Sequence, residues 1–238
     1  MAASRNSNVP VVPSTPRSRP RRPAESPRDD FDDDTTIDEV DYSGADLTRA
    51  ETHALGLEGC RFDNCRFGGV MRGVTIYESE LSVCDLANLL ADECSMAECA
   101  ISTSRLTGMS WTAGSWRDVL LEGTRADLTS FRYSKLRTVV FRDCDLRQAD
   151  FEGVEFRNVV FEHCNLTGAR FTGTAPRHNL RFTDCTLADI DGVAGLRGAT
   201  VDGGGLQGLP AGRARVAGMI VRWGGSGAAH LRGHPSQC

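Results

Sequence analysis

The chain has 238 residues, 40% of them hydrophobic and 25% charged, which suits a globular protein of one or two domains. No run approaches the roughly 18 apolar residues that span a bilayer, and the arginine-bearing N-terminus has no apolar segment of the secretory kind, so neither a membrane helix nor a signal is expected. The formal net charge is -5, with arginine supplying 26 of the 27 basic residues and Lys135 the only lysine.

That charge is laid out unevenly from the start. Residues 1–28 hold six arginines against one acid, with six of the nine prolines; residues 29–41 then carry eight acids and no base. Segments this polar and Pro-rich bury too little apolar surface to offset the entropy of ordering, so residues 1–41 are predicted to form a disordered Pro/Arg-rich, then acidic, arm. Its basic half could meet nucleic acid or an anionic surface, or remain a solvated tail; direct nucleic-acid binding is not expected elsewhere. Ser14-Thr15-Pro16 and Ser26-Pro27 match short kinase-site patterns that also arise by chance.

From residue 42 a period of five takes over. Stepping in fives from Met71 to Phe171 gives 21 positions, all apolar, including Leu81, Trp111, Trp116, Phe131, Phe151 and Phe161. Chance would yield such a column with a probability on the order of 10⁻⁸, and neither the helical 3.6 nor the strand 2.0 period produces it. Two residues before each lies a second column, small at 19 of 21 positions, the exceptions being Leu89 and Met109. Leu89 precedes Ala91, a swap that keeps core volume constant, and Gly114 precedes Trp116 in the same spirit. Trp111 after Met109 has no such compensation in its own repeat, and a local bulge is expected there. Upstream, Leu47, Leu57, Phe62 and Phe67 run one residue out of frame, so one residue is missing near Gly68–Val70. Downstream, Phe182 and Leu187 are displaced by one after an interruption at 172–181, and Leu196, Val201 and Leu206 form a weaker last set.

Ala45-Asp46-Leu47, Cys144-Asp145-Leu146, Ala149-Asp150-Phe151 and Cys164-Asn165-Leu166 resemble the A(D/N)LXX unit of the pentapeptide-repeat family, over about residues 43–206. The resemblance implies an all-β fold, a right-handed quadrilateral parallel β-helix with four pentapeptides per square coil and two residues of each unit pointing inward. Equivalent sides would stack every 20 residues at about 4.8 Å. The expected organisation is a 1–41 arm, a 42–206 solenoid, and a 207–238 remnant of a cap with a Gly-rich tail.

Eight of the nine cysteines, Cys60 to Cys185, fall in the small inward column. Pairs such as Cys60-x4-Cys65 resemble cluster-ligand spacing, but the five-residue period explains them as small buried spacers. Unpaired buried thiols suit a reducing compartment, and a cytoplasmic location is expected. His230-x3-His234-x3-Cys238 has ligand-like spacing that Gly233 and Pro235 disrupt. No P-loop, nucleophile elbow, dinucleotide fingerprint or zinc signature is present, so no cofactor, metal or enzymatic activity is expected.

Function is therefore expected on the outer faces. Leu120, Val140 and Val160 form an outward aliphatic stripe, a candidate homodimer or partner interface. Arg117, Arg137 and Arg157 form a basic column suited to phosphate or a partner's acids. Arg177, His178 and Arg181 mark the interruption as a candidate functional loop. The leading expectation is a non-enzymatic scaffold or protein-interaction module. The alternative, implied by similarity to the quinolone-resistance branch of the family, is a DNA mimic that binds a gyrase-type topoisomerase. Mimicry needs a continuous acidic face, and over residues 70–173 the four faces sum to about -1, 0, -3 and 0.

Overall fold

A computed structural model describes residues 13, 16, 18–26, 28–174, 178–202 and 217–222. It is a right-handed parallel β-solenoid of about nine turns with no α-helix among the described residues. The local cause is a left-handed residue every fifth position. Glu78, Val83, Asn88 and Glu93, for example, have φ of 45°, 55°, 59° and 54°. Between such corners the backbone is extended, and each side is hydrogen-bonded to the equivalent side one coil away.

The resulting rod has four faces. On the first, Ile76, Met96, Trp116, Leu136 and Phe156 stack; on the second, Leu81, Ile101, Leu121, Phe141, Phe161 and Phe182. Strands Ser95–Ser102, Ser115–Glu122, Lys135–Arg142 and Glu155–Glu162 run across both faces through one corner. The third face stacks Leu106, Ala126, Leu146 and Leu166, and the fourth Trp111, Phe131, Phe151 and Phe171, all buried. Ring stacking follows the pitch: Phe131, Phe151 and Phe171 lie 5.3 and 5.1 Å apart and nearly parallel, as do Phe141, Phe161 and Phe182 at 4.7 and 5.1 Å. Offset aromatic stacks add about 0.5–1.5 kcal/mol per pair beyond the area they bury.

The small column has a second duty. Ser134 Oγ donates to the Trp111 carbonyl at 3.0 Å, Thr129 Oγ1 to that of Leu106 at 2.9 Å, and the Cys144 thiol lies 3.2 Å from the Arg142 carbonyl. Small residues with a weak or strong donor therefore satisfy carbonyls at the turns that would otherwise be buried without a partner. All eight described cysteines are free and buried. Burial pushes the Cys99 thiol up to about 12.

Register irregularities fall close to where the frame shifts. Asp46 pairs with Arg66 but Glu51 with Val70, so one residue is missing between them. A Cβ on Gly69, which has φ +75°, would lie 2.2 Å from the Ala50 carbonyl oxygen, so glycine is required at this shortened corner. After Phe171 the register lengthens by one, with Val159 opposite Leu180, and then contracts beyond the 3-10 turn Val193–Leu196, where Phe182 meets Val201.

Three expectations need correction. The first concerns residues 1–41. Arg22–Pro23 pairs with Val40–Asp41, and Thr36–Asp38 with Gly56–Glu58, so the ordered body begins well before residue 42. Its closure is specific: Arg22 makes a two-pronged ion pair with buried Asp29, one prong at 2.6 Å. The Tyr42 hydroxyl donates to the Asp29 carbonyl at 2.7 Å, and Phe31 meets the Tyr42 ring edge-on. Tyr42 in turn stacks on Phe62, which continues the core into the cap. The second concerns Trp111, where no bulge forms: Leu90–Asp92 pairs in unbroken register with Ser110–Thr112. The indole instead occupies the room left at the next corner, where a Cβ on Gly114 would lie 2.4 Å from Trp111 Nε1. The third concerns the far end, where Ile220–Arg222 adds a further rung on Thr200–Asp202, past the boundary expected at 206. Leu206 and the rest of 203–216 and 223–238, with the His230/His234/Cys238 spacing, lie outside the described residues.

Candidate functional site

A repeat whose inward positions are filled by Phe, Leu, Trp and small residues leaves chemistry only to the outward positions and the ends. Among the described residues no three His, Cys, Asp or Glu side chains converge as a metal site would require. An open groove of about 630 Å³ lies at the N-terminal end between the cap and the first coil, with Phe31, Tyr42 and Leu47 in its wall and Glu25, Asp30 and Glu51 around it. A second, of about 490 Å³, lies on the first face among Arg19, Arg21, Asp38, Glu39, Glu58 and Glu78.

The outward stripe is in register as expected: Ala100, Leu120, Val140 and Val160 align, followed by Arg181 and Thr200. Its exposure is less than expected. Val140 is 1% exposed and Val160 5%, and Leu120 is half-buried. Arg142, two residues along the same strand, joins Glu162 at 3.0 Å and Glu122 at 3.4 Å, so an ionic row runs beside the stripe. The aliphatic column is thus not an open surface.

The basic column is an open one. Arg117, Arg137 and Arg157 occupy one register on adjacent rungs, continued in the backbone by His178. All three arginine side chains are exposed, as is Lys135 beside them. Arg117 reaches Glu98 at 3.8 Å and Asp118 at 4.0 Å. Elsewhere on the body, arginines are locally neutralised: Arg132 by Glu152 at 2.7 Å, Arg147 by Asp145 at 2.7 Å, Arg170 by Asp150 at 3.2 Å. Of the described arginines between 105 and 181, Arg137 and Arg157 make no ion pair with a described residue. Like charges directly opposite in neighbouring strands are unfavourable, so this column carries repulsion, relieved at Arg117 by Glu98 and Asp118.

The lower coils of the same face are acidic, as the sequence places Glu78 and Glu98 in coils before the basic column. Asp38, Glu58, Glu78 and Glu98 lie along rungs 36–39, 56–59, 75–78 and 95–98. Burial, with Glu78 and Glu98 beside it, raises the Tyr77 hydroxyl above its ordinary value, and that hydroxyl lies 3.4 Å from Glu98 Oε1.

The expected functional loop is described only in part. Arg177 lies outside the described residues, His178–Thr183 is a strand paired with the rung of Arg157, and Arg181 is half-buried with an ion pair to Asp202 at 3.6 Å.

A family profile described as a pentapeptide repeat region matches residues 105–171. Among curated proteins no sequence matches the chain. Among solved structures the chain is similar to a pentapeptide-repeat protein of the Arabidopsis thaliana thylakoid lumen, at 21% identity and a TM-score of 0.36 over 39% of this chain and 65% of that one. The chain therefore spans just under two thirds of that protein's length. It is also similar to QnrB1, described as a plasmid-mediated fluoroquinolone resistance protein, at 16% identity and a TM-score of 0.32 over 79% of this chain and 91% of that one. A third similarity is to the pentapeptide-repeat protein Rfr23 of the cyanobacterium Cyanothece 51142, at 9% identity and a TM-score of 0.18, covering 80% and 86%. With the five-residue corners and the square stacking already in place, residues 105–171 of this chain are a pentapeptide repeat region.

Proposed function

We propose that the chain is a non-enzymatic protein-interaction rod whose binding chemistry lies on its first face. The observation that supports this reading is the exposed Arg117–Arg137–Arg157 column, in which Arg137 and Arg157 make no ion pair with a described residue while the other arginines of the same coils do. A guanidinium on a rigid strand that makes no ion pair with a described residue is open to an incoming carboxylate, which its planar fork can meet with two hydrogen bonds. The filled core supports a binding role over catalysis, because substrates are ordinarily taken into concave, partly apolar sites with convergent polar groups. Eight buried, unpaired thiols fit a reducing compartment.

The DNA-mimic alternative draws less support. Its acidic surface would have to run the length of a face, whereas acids on the first face give way to bases at Arg117. The test is capture from a clarified lysate by immobilised wild-type protein and by the Arg137→Glu/Arg157→Glu variant. A protein held by wild type and lost from the variant is the expected result. Identical captured sets, or none, would overturn the reading. Inhibition of gyrase supercoiling that survives in the variant would favour mimicry instead.

A further inference from the structure

Resting on the interaction-rod reading, we propose that the first face binds a second copy of this chain, with the two rods antiparallel. Two halves of one face carry opposite net charge at one shared pitch, with Arg19 and Arg21 beside the acids of one half and Glu155 beside the bases of the other. Asp38, Glu58, Glu78 and Glu98 mark the N-terminal half. Arg117, Lys135, Arg137 and Arg157 mark the C-terminal half, on strands continuous with the same ladder. A two-fold axis along the strand direction, placed between rungs 95–98 and 115–118, reverses the rod while keeping each column over its own counterpart. It then sets Arg117 of one copy over Ala97 and Glu98 of the other, Arg137 over Tyr77 and Glu78, and Arg157 over Glu58.

Because both copies are built on the same spacing of about 4.8 Å, bringing one pair together brings the rest. The interface is isologous, so each contact occurs twice and the assembly closes at two. Arg137 would gain a ring face as well as a carboxylate, since Tyr77 is only half-buried. The repulsion within the arginine column would be relieved by acids the rod itself supplies on its other half.

The same polarity disfavours other occupants. Nucleic acid or an extended acidic peptide meeting Arg137 and Arg157 would run onto Glu98 and Glu78 within roughly two Debye lengths at 0.1 M salt. Seven rungs of this face span about 30 Å, and with a width near 13 Å the contact covers roughly 400 Å² per copy, in the range of transient electrostatic complexes. The dimer is accordingly weak and sensitive to salt.

Sedimentation velocity on the full chain, up to a few hundred micromolar, tests this. Four samples are compared in about 50 mM and 500 mM salt: wild type, Arg137→Glu/Arg157→Glu, Glu58→Lys/Glu78→Lys, and an equimolar mixture of the two variants. The expected result is a concentration-dependent dimer for wild type in low salt that is lost in high salt. Each variant alone should associate at least about tenfold more weakly, and the mixture should regain dimer, because reversed charges again face opposite ones. That recovery also shows both variants to be folded. A wild type that stays monomeric in low salt, a dimer indifferent to salt and to both variants, or a mixture that stays monomeric would each overturn the proposal. So would a short DNA duplex that co-sediments with the chain and replaces the dimer. If wild type is monomeric yet lysate capture remains sensitive to Arg137→Glu/Arg157→Glu, the self-association fails while the interaction-rod reading stands; if both fail, both are wrong.

Discussion

Replacing Gly114 by alanine adds one carbon at a crowded corner of the rod. That Cβ would lie 2.3 Å from the Cys94 carbonyl oxygen and 2.4 Å from Trp111 Nε1, where 3.4–4 Å is ordinary contact. The Cys94 oxygen cannot retreat freely, because it accepts the Ser115 amide at 2.9 Å and so holds two rungs together. Overpacking of a filled core costs about 1–3 kcal/mol, and weakening a rung hydrogen bond adds about 1 kcal/mol, so Gly114→Ala should lose about 3 kcal/mol. Trp111→Phe on its own should change stability by no more than about 1 kcal/mol. It removes volume, but it also removes an indole N–H that is buried with no partner. Combined, the two substitutions should recover about 1 kcal/mol of the Gly114→Ala loss, the share due to the indole and not to the carbonyl. Urea denaturation followed by circular dichroism gives all three values. A loss below about 0.5 kcal/mol for Gly114→Ala, or strictly additive effects, would show that Trp111 does not fill the space that glycine leaves.

Three further outcomes follow from single features. The Arg22 guanidinium holds the Asp29 carboxyl at about 2, below its ordinary 3.8, so closure of the N-terminal cap is favoured above pH 4 and lost as pH falls from about 4 to 2. Hydrogen exchange at Ala24 and Tyr42, whose amides bond to the next rungs, should lose protection in that window, and unchanged protection at pH 2 would refute the assignment. Val83, 53% exposed at φ 55°, is a β-branched residue in a left-handed corner, so Val83→Asn should stabilise the rod by about 1 kcal/mol in thermal or urea unfolding; destabilisation would contradict the strain. Cys99, fully buried and with its thiol raised to about 12, should resist alkylation at pH 8 until the rod is unfolded; rapid labelling of its peptide in the native state, read by mass spectrometry, would be the contrary result.

The square coil was legible because every repeat reports it twice, in a large inward column and a small one, and a shift such as that at Gly68 and Gly69 shows as a change of frame. What escaped the sequence is not periodic. The cap depends on Arg22, Asp29, Phe31 and Tyr42, four residues within a stretch whose composition argues against order; they are joined by one ion pair, the Tyr42 hydroxyl hydrogen bond and two aromatic contacts. Trp111 was read within its own repeat, whereas its space comes from the following one. The column of Leu120, Val140 and Val160 reads from the sequence as an outward stripe, but direction along a strand does not fix exposure, and two of its members are buried. The sequence shows a basic column on the first face and acids in its earlier coils, but not whether neighbouring charges balance them locally. Opposite charges on opposite halves of a rigid surface cancel in number and still bind.

Which face carries association is read most directly by nuclear magnetic resonance on an isotopically labelled full chain, diluted from about 1 mM in low salt. The shifts that change should map to rungs 56–58, 75–78, 95–98, 115–118, 135–138 and 155–157 of the first face, and should vanish in high salt. Changes centred on the Leu120, Val140 and Val160 column or on the ends of the rod, or no change on dilution, would contradict a charge-split binding face.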